Sequence, residues 1–536
     1  MNHSIPLSEY PRPLLVRSSY LCLNGVWEFS ESAPTYGETI LVPYPPQSKA
    51  SGIGRDLARD ALIYYRRRFT LPEDFLSDRV ILHFGAVDRL ATVSLNGKSL
   101  GTHDGGYHHF SFDITDFLTD GENTLELSVT DTQDDVNALY GKQKIKRGGM
   151  WYTPVSGIWQ TVWLESVPAD YIRSLKTSTH GASVRVEAEG VGAGELLLHL
   201  PNGDEIYPIS DGVCEFSLSD PQFWSPDSPY LYRFTVRTES DSADSYFALR
   251  DIEVKTVDGL PRICLNGSPL FFKGLLDQGY FPDGIYTPLS YADYERDILA
   301  AKKLGYNTLR KHIKIEPDAF YEACDRLGMV VFQDMVSGGS YSFLRDTLLP
   351  TFGIQKKNDR RMNRSVAYRS AFLRDMERTV SQLFSFPSIC YWTIFNEGWG
   401  QFESEKCYQK LVSLDSSRII DTASGWFRGA TSDVESLHIY FRKPKIKPSP
   451  RPIVLSEFGG YVYRVKGHLF SESKTYGYGS YKTRADFNAA YNDLWKNGVE
   501  PLIAKGLCAA IYTQLSDVEE EANGLLTYDR EVCKID

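Results

Sequence analysis

The sequence predicts a protein of the multidomain β plus α/β class, with a jelly-roll β-sandwich, an immunoglobulin-like β-sandwich and a (β/α)8 TIM barrel in that order. Its 536 residues suggest two small domains beside a large barrel, at ~150 residues per domain. Short β runs with turn signals fill the chain up to about residue 255, and apolar β runs alternate with amphipathic helices after it.

The composition excludes several classes of protein. Lys and Arg total 58 and Asp and Glu total 69, so the net charge is −11 and we expect no nucleic-acid or membrane partner. Residues 1–20 contain no apolar run behind a basic start, and the eight cysteines are scattered without a C-x-x-C pair. We therefore expect a cytoplasmic protein with reduced thiols, no metal site and no cofactor.

Two β domains are predicted ahead of the barrel. Residues 1–167 are assigned to the jelly roll, with Asn96-Gly97 as its strongest hairpin signal. Residues 168–257 have the size of an immunoglobulin-like sandwich. The β runs of the first domain are at 62–69, 80–84, 91–95 and 124–129, and those of the second at 183–187, 195–200, 230–237 and 245–254.

Residues 258–536 are assigned to the barrel, because eight β runs are separated mostly by helical segments. The β runs are at 270–275, 307–312, 329–333, 389–395, 418–422, 436–440, 452–456 and 507–513. The helical segments are at 290–303, 317–327, 365–384, 404–414 and 483–504. A doubly wound open sheet is the alternative, but no G-x-G-x-x-G follows the first β run.

Two carboxylates lie where chemistry is expected in such a barrel, at the carboxyl ends of its strands. Glu397 follows the fourth β run and Glu457 the seventh, each beside glycine and aromatic residues. One such Glu alone is best read as a polar residue where a strand meets solvent. Two of them suit a retaining glycosidase, in which one carboxyl is acid/base and the other is nucleophile.

The chain resembles glycoside hydrolase family 2, which includes β-galactosidases, β-glucuronidases and β-mannosidases. The resemblance extends over nearly the whole length, with LNGVW at 23–27, GIWQ at 157–160, FWSP at 223–226, NTLR at 307–310, FNE at 395–397 and SEFG at 456–459. It implies the same three-domain order. It also implies that Glu397 is the general acid/base and Glu457 the nucleophile.

The resemblance and the strand ends suggest further substrate-binding residues. Asn396 resembles the asparagine that binds the sugar 2-hydroxyl, and Arg310 the arginine that supports the nucleophile. His438 and Tyr440 resemble a His-x-Tyr strand end, although a core tyrosine is nearly as plausible. By position, the candidates for sugar stacking are Trp399, Tyr461 and Tyr512. Those for hydroxyl binding are Asp277, Gln278, His312, Asp334 and Gln514.

The sugar itself is ambiguous. Glu521-Ala522-Asn523 stands where β-glucuronidases of the family have Asn-x-Lys, and an acid there would repel a uronate. A β-galactosidase-type enzyme is therefore the first choice, and a β-hexuronidase (β-galacturonidase or β-glucuronidase) is the alternative. The basic residues that could bind a uronate are Lys273, Arg310, Lys311, Lys314, Arg345, Lys356, Lys357, Arg360 and Arg361. A non-catalytic carbohydrate-binding protein is a second alternative.

The last β run leaves little room for the eighth barrel helix. Only residues 516–536 remain after it, whereas such a helix needs ~10 or more residues. We expect this helix to be short or missing, or the exposed strand faces to be covered by another subunit. A homo-oligomer is predicted on this ground.

Overall fold

The structure, a computed structural model, describes residues 5–351, 354, 359–427, 429 and 431–536. Lys356 and Lys357, two of the basic residues named above, lie outside the described residues. None of the helices in the described ranges is both long and apolar enough to cross a membrane.

The first β region consists of two main sheets around one apolar core that includes Trp27, Tyr65 and Phe84. The six-stranded sheet has the order Glu38–Val42, Gly25–Glu31, Leu62–Thr70, Glu122–Thr130, Leu90–Leu95 and Lys98–Asp104. The four-stranded sheet has the order Leu21–Cys22, Val162–Val167, Arg79–Phe84 and Phe110–Asp113. A two-stranded sheet pairs Val87–Asp88 with Gly157–Ile158, and a short 3-10 helix spans Thr115–Phe117.

The predicted hairpin at Asn96-Gly97 is present and joins the strands Leu90–Leu95 and Lys98–Asp104. Asn96 has a φ of 52° and Gly97 a φ of 75°. A tight hairpin turn needs positive φ at both central residues, which Asn and Gly tolerate best.

The second β region is a seven-stranded antiparallel sheet. Its strands, in sheet order, are Ser174–His180, Ser183–Glu189, Val213–Ser217, Glu205–Ser210, Ala193–His199, Tyr232–Arg237 and Ser242–Phe247. Buried residues from strands across the sheet, among them Val186, Leu198 and Phe247, meet in one core. A small sheet of Ile252–Val257, Leu260–Leu265 and Ser268–Pro269 then packs against the bottom of the barrel.

The barrel has eight parallel strands and is nearly closed, which confirms the predicted fold class. In chain order they are Phe272–Asp277, Thr308–Lys311, Val330–Asp334, Ile389–Asn396, Ile419–Ser424, Glu435–Ile439, Ile453–Phe458 and Leu507–Tyr512. The fifth and sixth strands end the hydrogen-bonded sheet on its two sides and lie next to each other. Two further short strands, Val462–Tyr463 and Ser480–Tyr481, pair above the barrel.

Helices cover most, but not all, of the barrel's outer face. They are Ala292–Lys303, Asp318–Leu327, Phe343–Leu348, Leu349–Thr351, Val366–Leu383, Ser404–Leu414, Arg484–Asp493, Leu494–Val499 and Glu500–Ile503. The hydroxyls of Ser365 and Thr483 cap two of them by accepting a backbone N–H of the first turn. In the described residues, no helix follows the fifth, sixth or eighth strand.

The segment after the eighth strand packs as loops over the barrel instead of forming a helix. Leu515, Val518, Leu525 and Leu526 are buried in the main core. The missing helix agrees with the expectation from sequence, while the homo-oligomer inferred from it remains a prediction.

Candidate active site

The end of the fourth barrel strand places Glu397 in the barrel mouth through a sharp turn. Glu397 has a φ of 55°, and its backbone N–H donates to the carbonyl of Ser424 at 2.9 Å. Gly398 follows with a φ of 72°, and a Cβ there would lie 1.9 Å from the ring of Phe427. Only glycine therefore fits beside this ring, and the turn directs the Glu397 side chain toward the seventh strand.

Glu397 and Glu457 come together as the sequence predicts. One carboxylate oxygen of each and a ring nitrogen of His438 lie within 4.8 Å of one another. Retaining glycosidases have carboxyl groups about 5–5.5 Å apart, whereas inverting ones leave room for a water between them. By spacing these three residues could also hold a metal ion, although the hydrogen bond between His438 and Glu397 already uses two of the ligand atoms.

Arg310 organises the floor of the site and is only 1% exposed. Its guanidinium donates two hydrogen bonds of 3.0 Å to the Asp334 carboxylate, one of 3.0 Å to Glu457 Oε1 and one of 2.8 Å to Asn396 Oδ1. His312 Nδ1 lies 2.8 Å from Asp334 Oδ2. The predicted residues Arg310, His312, Asp334 and Asn396 thus form one network around Glu457.

The surroundings of Glu457 keep its carboxyl group ionised. Burial by itself would raise its pKa, but the positive charges of His438 (when protonated) and Arg310 lower it, with smaller contributions from His312 and the Tyr440 hydroxyl. The resulting pKa is about 2. An ionised carboxylate at neutral pH is what a nucleophile needs.

His438 connects the two carboxyl groups. Its Nδ1 lies 2.8 Å from Glu397 Oε1, and its Nε2 lies 2.8 Å from Ser424 Oγ and 3.6 Å from Glu457 Oε1. The Tyr440 hydroxyl donates to Glu457 Oε2. The two environments differ, since Glu457 is 6% exposed at the side chain and Glu397 is 17% exposed.

The Asp277 side chain belongs to a different group of charges from the network around Glu457. It belongs to a buried group of four charges, which we call the balanced cluster: Asp277, Lys311, Lys314 and Glu316. Lys311 Nζ lies 2.6 Å from Asp277 and 2.9 Å from Glu316, and Lys314 lies 2.9 Å from Glu316. These contacts use part of the hydrogen-bonding capacity of the Asp277 carboxylate, and its role as a sugar ligand stays a prediction.

The aromatic candidates at the strand ends differ in their surroundings. Tyr512 is completely buried, its hydroxyl accepts the Tyr461 backbone N–H at 3.2 Å, and its ring packs on Phe458. It has no face free for a sugar. Tyr461 is half-buried, and Trp399 is 4% exposed and packs edge-on against Trp151.

The two glutamine candidates are buried beside the first and eighth strands. Gln514 donates to Asn523 Oδ1 at 2.9 Å, while its own side-chain oxygen and that of Gln278 have no partner among the described residues. Both side chains are 5% exposed or less. They remain candidates for polar contacts near the site, although neither hydrogen-bonds the carboxylate pair among the described residues.

Sequence reasoning missed residues that the N-terminal β region contributes. Trp151 packs against Trp399, and the Tyr152 hydroxyl donates to the Glu521 carboxylate. Lys142 is 9% exposed, and its charge opposes the rise that burial causes in the pKa of Glu521. No signal at 131–156 distinguished this segment from an ordinary loop, because its role depends on contacts with distant strands.

Tyr478 is a second residue that was not foreseen. Its ring stacks on Tyr440, with centroids 4.0 Å apart and an interplanar angle of 18°. Tyr476 lies next to it, with hydroxyl oxygens 3.4 Å apart. The wall of the site on the side of the sixth and seventh strands is therefore aromatic.

A barrel whose fourth and seventh strands bring two unlike carboxyl groups together is typical of the glycoside hydrolases. Three family models match the chain: "Glycosyl hydrolase 2 galactose-binding domain-like" at 57–156, "Glycosyl hydrolases family 2" at 171–250 and "Glycosyl hydrolases family 2, TIM barrel domain" at 256–472. The chain belongs to glycoside hydrolase family 2. This confirms the resemblance noted from its motifs and, at the level of the family, the expectation of a glycoside hydrolase.

Curated relatives include a β-galactosidase of Thermoanaerobacter pseudethanolicus, 28% identical over 58% of this chain and 44% of its own length. Another is a β-galactosidase of Aeromonas hydrophila, 26% identical over 84% of this chain and 50% of its own. A putative β-glucuronidase of Formosa agariphila is 24% identical over 68% of this chain and 34% of its own. The chain thus spans about half the length, or less, of these relatives.

Solved structures resemble the whole chain in fold. A β-D-glucuronidase of Dictyoglomus thermophilum has a TM-score of 0.75 at 18% identity, covering 97% of this chain and 96% of its own. A β-galacturonidase of Eisenbergiella tayi bound to galacturonate has a TM-score of 0.70 at 17% identity, with the same two coverages. At these identities the likeness concerns the fold alone.

Proposed function

We propose that this protein is a retaining exo-β-glycosidase of the β-galactosidase type, acting on terminal β-linked hexosides. The observation that carries the proposal is the carboxyl pair, with Glu457 paired to Arg310 and Tyr440 and Glu397 hydrogen-bonded to His438. A spacing within 4.8 Å and two different environments support double displacement.

In this mechanism Glu457 attacks the anomeric carbon while Glu397 protonates the leaving oxygen. A covalent glycosyl-enzyme forms, and Glu397 then acts as the base for the water that releases the sugar with its β configuration retained. Asn396 accepts from Arg310 through its side-chain oxygen, so its amide N–H groups are directed elsewhere and are available for the sugar 2-hydroxyl. A hydrogen bond there would strengthen in the oxocarbenium-like transition state.

Exo action is supported by the loop that the N-terminal β region contributes. The Tyr152 hydroxyl contacts Glu521, and the Thr153 backbone N–H donates to Glu519 at 2.9 Å. These contacts close one side of the barrel mouth. A closed side favours a terminal sugar over the interior of a long chain.

A neutral sugar is supported by the state of five of the nine basic residues named from the sequence. Arg310, Lys311, Lys314 and Arg345 each form a salt bridge with a carboxylate of the chain itself. Lys273 lies over the rings of Tyr306 and Trp495. Each therefore has a partner within the protein already, and a substrate carboxylate would have to compete for it.

The hexuronidase alternative is favoured by one specific observation. Lys142 is a buried cation on the side of the mouth that holds Glu521, and it lies over the ring of Trp151 at 5.3 Å. A uronate carboxylate could pair with it if Glu521 were protonated. The non-catalytic alternative loses support because both carboxyl groups lie within reach of each other.

The test is hydrolysis of p-nitrophenyl β-D-galactoside, β-D-glucuronide and β-D-galacturonide, with Glu457→Gln as the inactive control. We expect turnover of the galactoside alone. NMR identifies the anomer of the sugar that is released first, and the β anomer establishes retention. Turnover of a uronide, lost in Lys142→Met, would establish the alternative. Activity that survives Glu457→Gln would contradict the assignment of the nucleophile.

A further inference from the structure

A groove of about 700 Å³ runs along the outer side of the sixth barrel strand. It lies where the described residues contain no helix after the fifth and sixth strands. Its apolar lining comes from Pro350, Trp426, Leu437, Ile439, Phe441 and Ile453. A volume of this size is within the range of ligand-binding pockets.

One edge of this groove is strongly basic. The segment 441–452 contains five Lys or Arg residues and no Asp or Glu, in a chain whose net charge is −11. Lys443 pairs with Asp493 at 2.7 Å, and Arg451 pairs with Glu435 at 2.7 Å. The other three, Arg442, Lys445 and Lys447, are exposed, line the groove and form no salt bridge among the described residues.

The groove lies on the outer side of the strand that carries two residues of the active site. His438 and Tyr440 both line it, and the same two residues hydrogen-bond Glu397 and Glu457. Phe441 follows and is 69% exposed as a residue, and its ring lies edge-on to Tyr478 at 5.1 Å. An exposed aromatic ring at the lip offers a face on which a sugar ring can stack.

We propose that this groove binds an acidic oligosaccharide, with carboxylate or sulfate groups on Arg442, Lys445 and Lys447 and a sugar ring on Phe441. The inference rests on the proposed glycosidase function in taking the ligand to be a glycan. Charge complementarity selects the occupant, because a polyanion is repelled by most of an acidic surface and attracted to the three exposed cations of this edge.

The experiment measures binding of a fluorescently labelled oligogalacturonate by anisotropy at 50 mM and 300 mM salt, in a Glu457→Gln background that prevents turnover. The groove variant combines Arg442→Ser, Lys445→Ser and Lys447→Ser. The matched control removes three exposed cations of the β domains, Lys98→Ser, Arg233→Ser and Arg237→Ser. Thermal unfolding checks that both triple variants fold.

We expect the groove variant to bind at least ~10-fold more weakly and to lose most of the salt dependence, while the control binds like the parent protein. Phe441→Ser alone should weaken binding by ~3- to 10-fold without changing the salt dependence. Equal binding by the groove variant, equal binding of a labelled neutral galactan, or equal competition by duplex DNA would overturn the inference.

Hydrolysis of p-nitrophenyl β-D-galactoside by the unmutated protein is measured in parallel. If that hydrolysis is absent while binding depends on the groove, the proposed activity fails and the glycan groove stands. If hydrolysis is present while binding ignores the groove, the groove inference fails alone.

Discussion

Two buried charge clusters lie at the same barrel mouth, and they differ in how completely their charges are paired. The balanced cluster has two lysines for two carboxylates, and all four side chains are 9% exposed or less. The second, which we call the site cluster, consists of Arg310, Asp334, Glu397, His438 and Glu457. It has one permanently charged cation for three carboxyl groups, and Glu397 remains partly exposed.

From this difference in charge pairing we infer that the balanced cluster stabilises the fold and that the site cluster serves the reaction. In the balanced cluster Lys314 also donates to the carbonyls of Gly279 and Tyr286, and Tyr294 donates to Glu316, so its charges are satisfied internally. The site cluster keeps excess negative charge facing an open mouth. An oxocarbenium-like transition state carries positive charge, so this excess favours the transition state over the neutral substrate.

The largest expected effect comes from Glu457→Gln in the site cluster. We expect kcat to fall by ~10³-fold or more with little change in thermal unfolding, because the amide keeps the shape but cannot attack. The activity measured is hydrolysis of the best p-nitrophenyl glycoside. The matched variant Glu316→Gln in the balanced cluster should keep its activity per folded molecule, and equal losses in both would break the distinction.

Substitutions in the balanced cluster should change the free energy of unfolding instead of the activity. Lys311→Met leaves Asp277 buried without its closest cation, 2.6 Å away, and should lower the free energy of unfolding by about 3–5 kcal/mol. Denaturant unfolding measures this. Adding Asp277→Asn should recover part of the loss, and a single-variant loss below about 1 kcal/mol would show that the pairing does not stabilise the fold.

Two tyrosine hydroxyls, that of Tyr440 after the sixth strand and that of Tyr512 at the end of the eighth, allow a finer comparison of site and packing. Tyr440→Phe removes a donor to Glu457, so kcat should fall about 10- to 100-fold and the acid limb of kcat/KM should move to higher pH as the pKa of Glu457 rises. Tyr512→Phe removes only a hydrogen bond to a backbone N–H and should leave kcat and the acid limb unchanged. A similar effect of both substitutions on the pH profile would contradict the placement of Tyr512 in the packing.

The last prediction concerns a buried acid outside both clusters. Burial raises the pKa of Asp325 to about 7, although Tyr246 and the Ser388 N–H donate to it at 2.8 Å. The folded state therefore holds a proton that the unfolded state releases near pH 4. This contribution to stability is present at low pH and is lost, by about 1.4 kcal/mol per pH unit at most, as pH rises toward 7.

Asp325→Asn should flatten the stability curve between pH 5 and 7 relative to the parent protein. The measurement is denaturant unfolding across that range. A slope that is unchanged by the substitution would assign the pH dependence to other buried acids.

The barrel was readable from sequence because its strands are continuous apolar runs. The third strand was expected at 329–333 and lies at Val330–Asp334, and the helix expected at 404–414 is Ser404–Leu414. Buried parallel strands must be apolar on both faces, so the pattern marks them directly. The carboxylate pair followed from the same pattern, since a Glu directly after such a run lies at the mouth.

The apolar pattern does not predict which of the residues at the strand ends face the site. Tyr440 and Tyr512 both end barrel strands, yet one contacts Glu457 and the other is packed under the Tyr461 backbone. A turn or register shift of one residue reverses the direction of a side chain. Asp277 likewise ends a barrel strand, and its pairing with Lys311 could not be predicted from the sequence.

The sequence alone determined the order of the domains, the barrel and the two glutamates that end its fourth and seventh strands, because local apolar patterning and turn residues act over short stretches of chain. Only the tertiary structure decided which cations are already paired and that Lys142 and Trp151 reach the mouth from a distant β region. It also decided that Arg442, Lys445 and Lys447 line a groove and form no salt bridge with the residues that the structure describes. Charge pairing depends on distances of a few ångströms between residues far apart in sequence, and those distances exist only once the chain has folded.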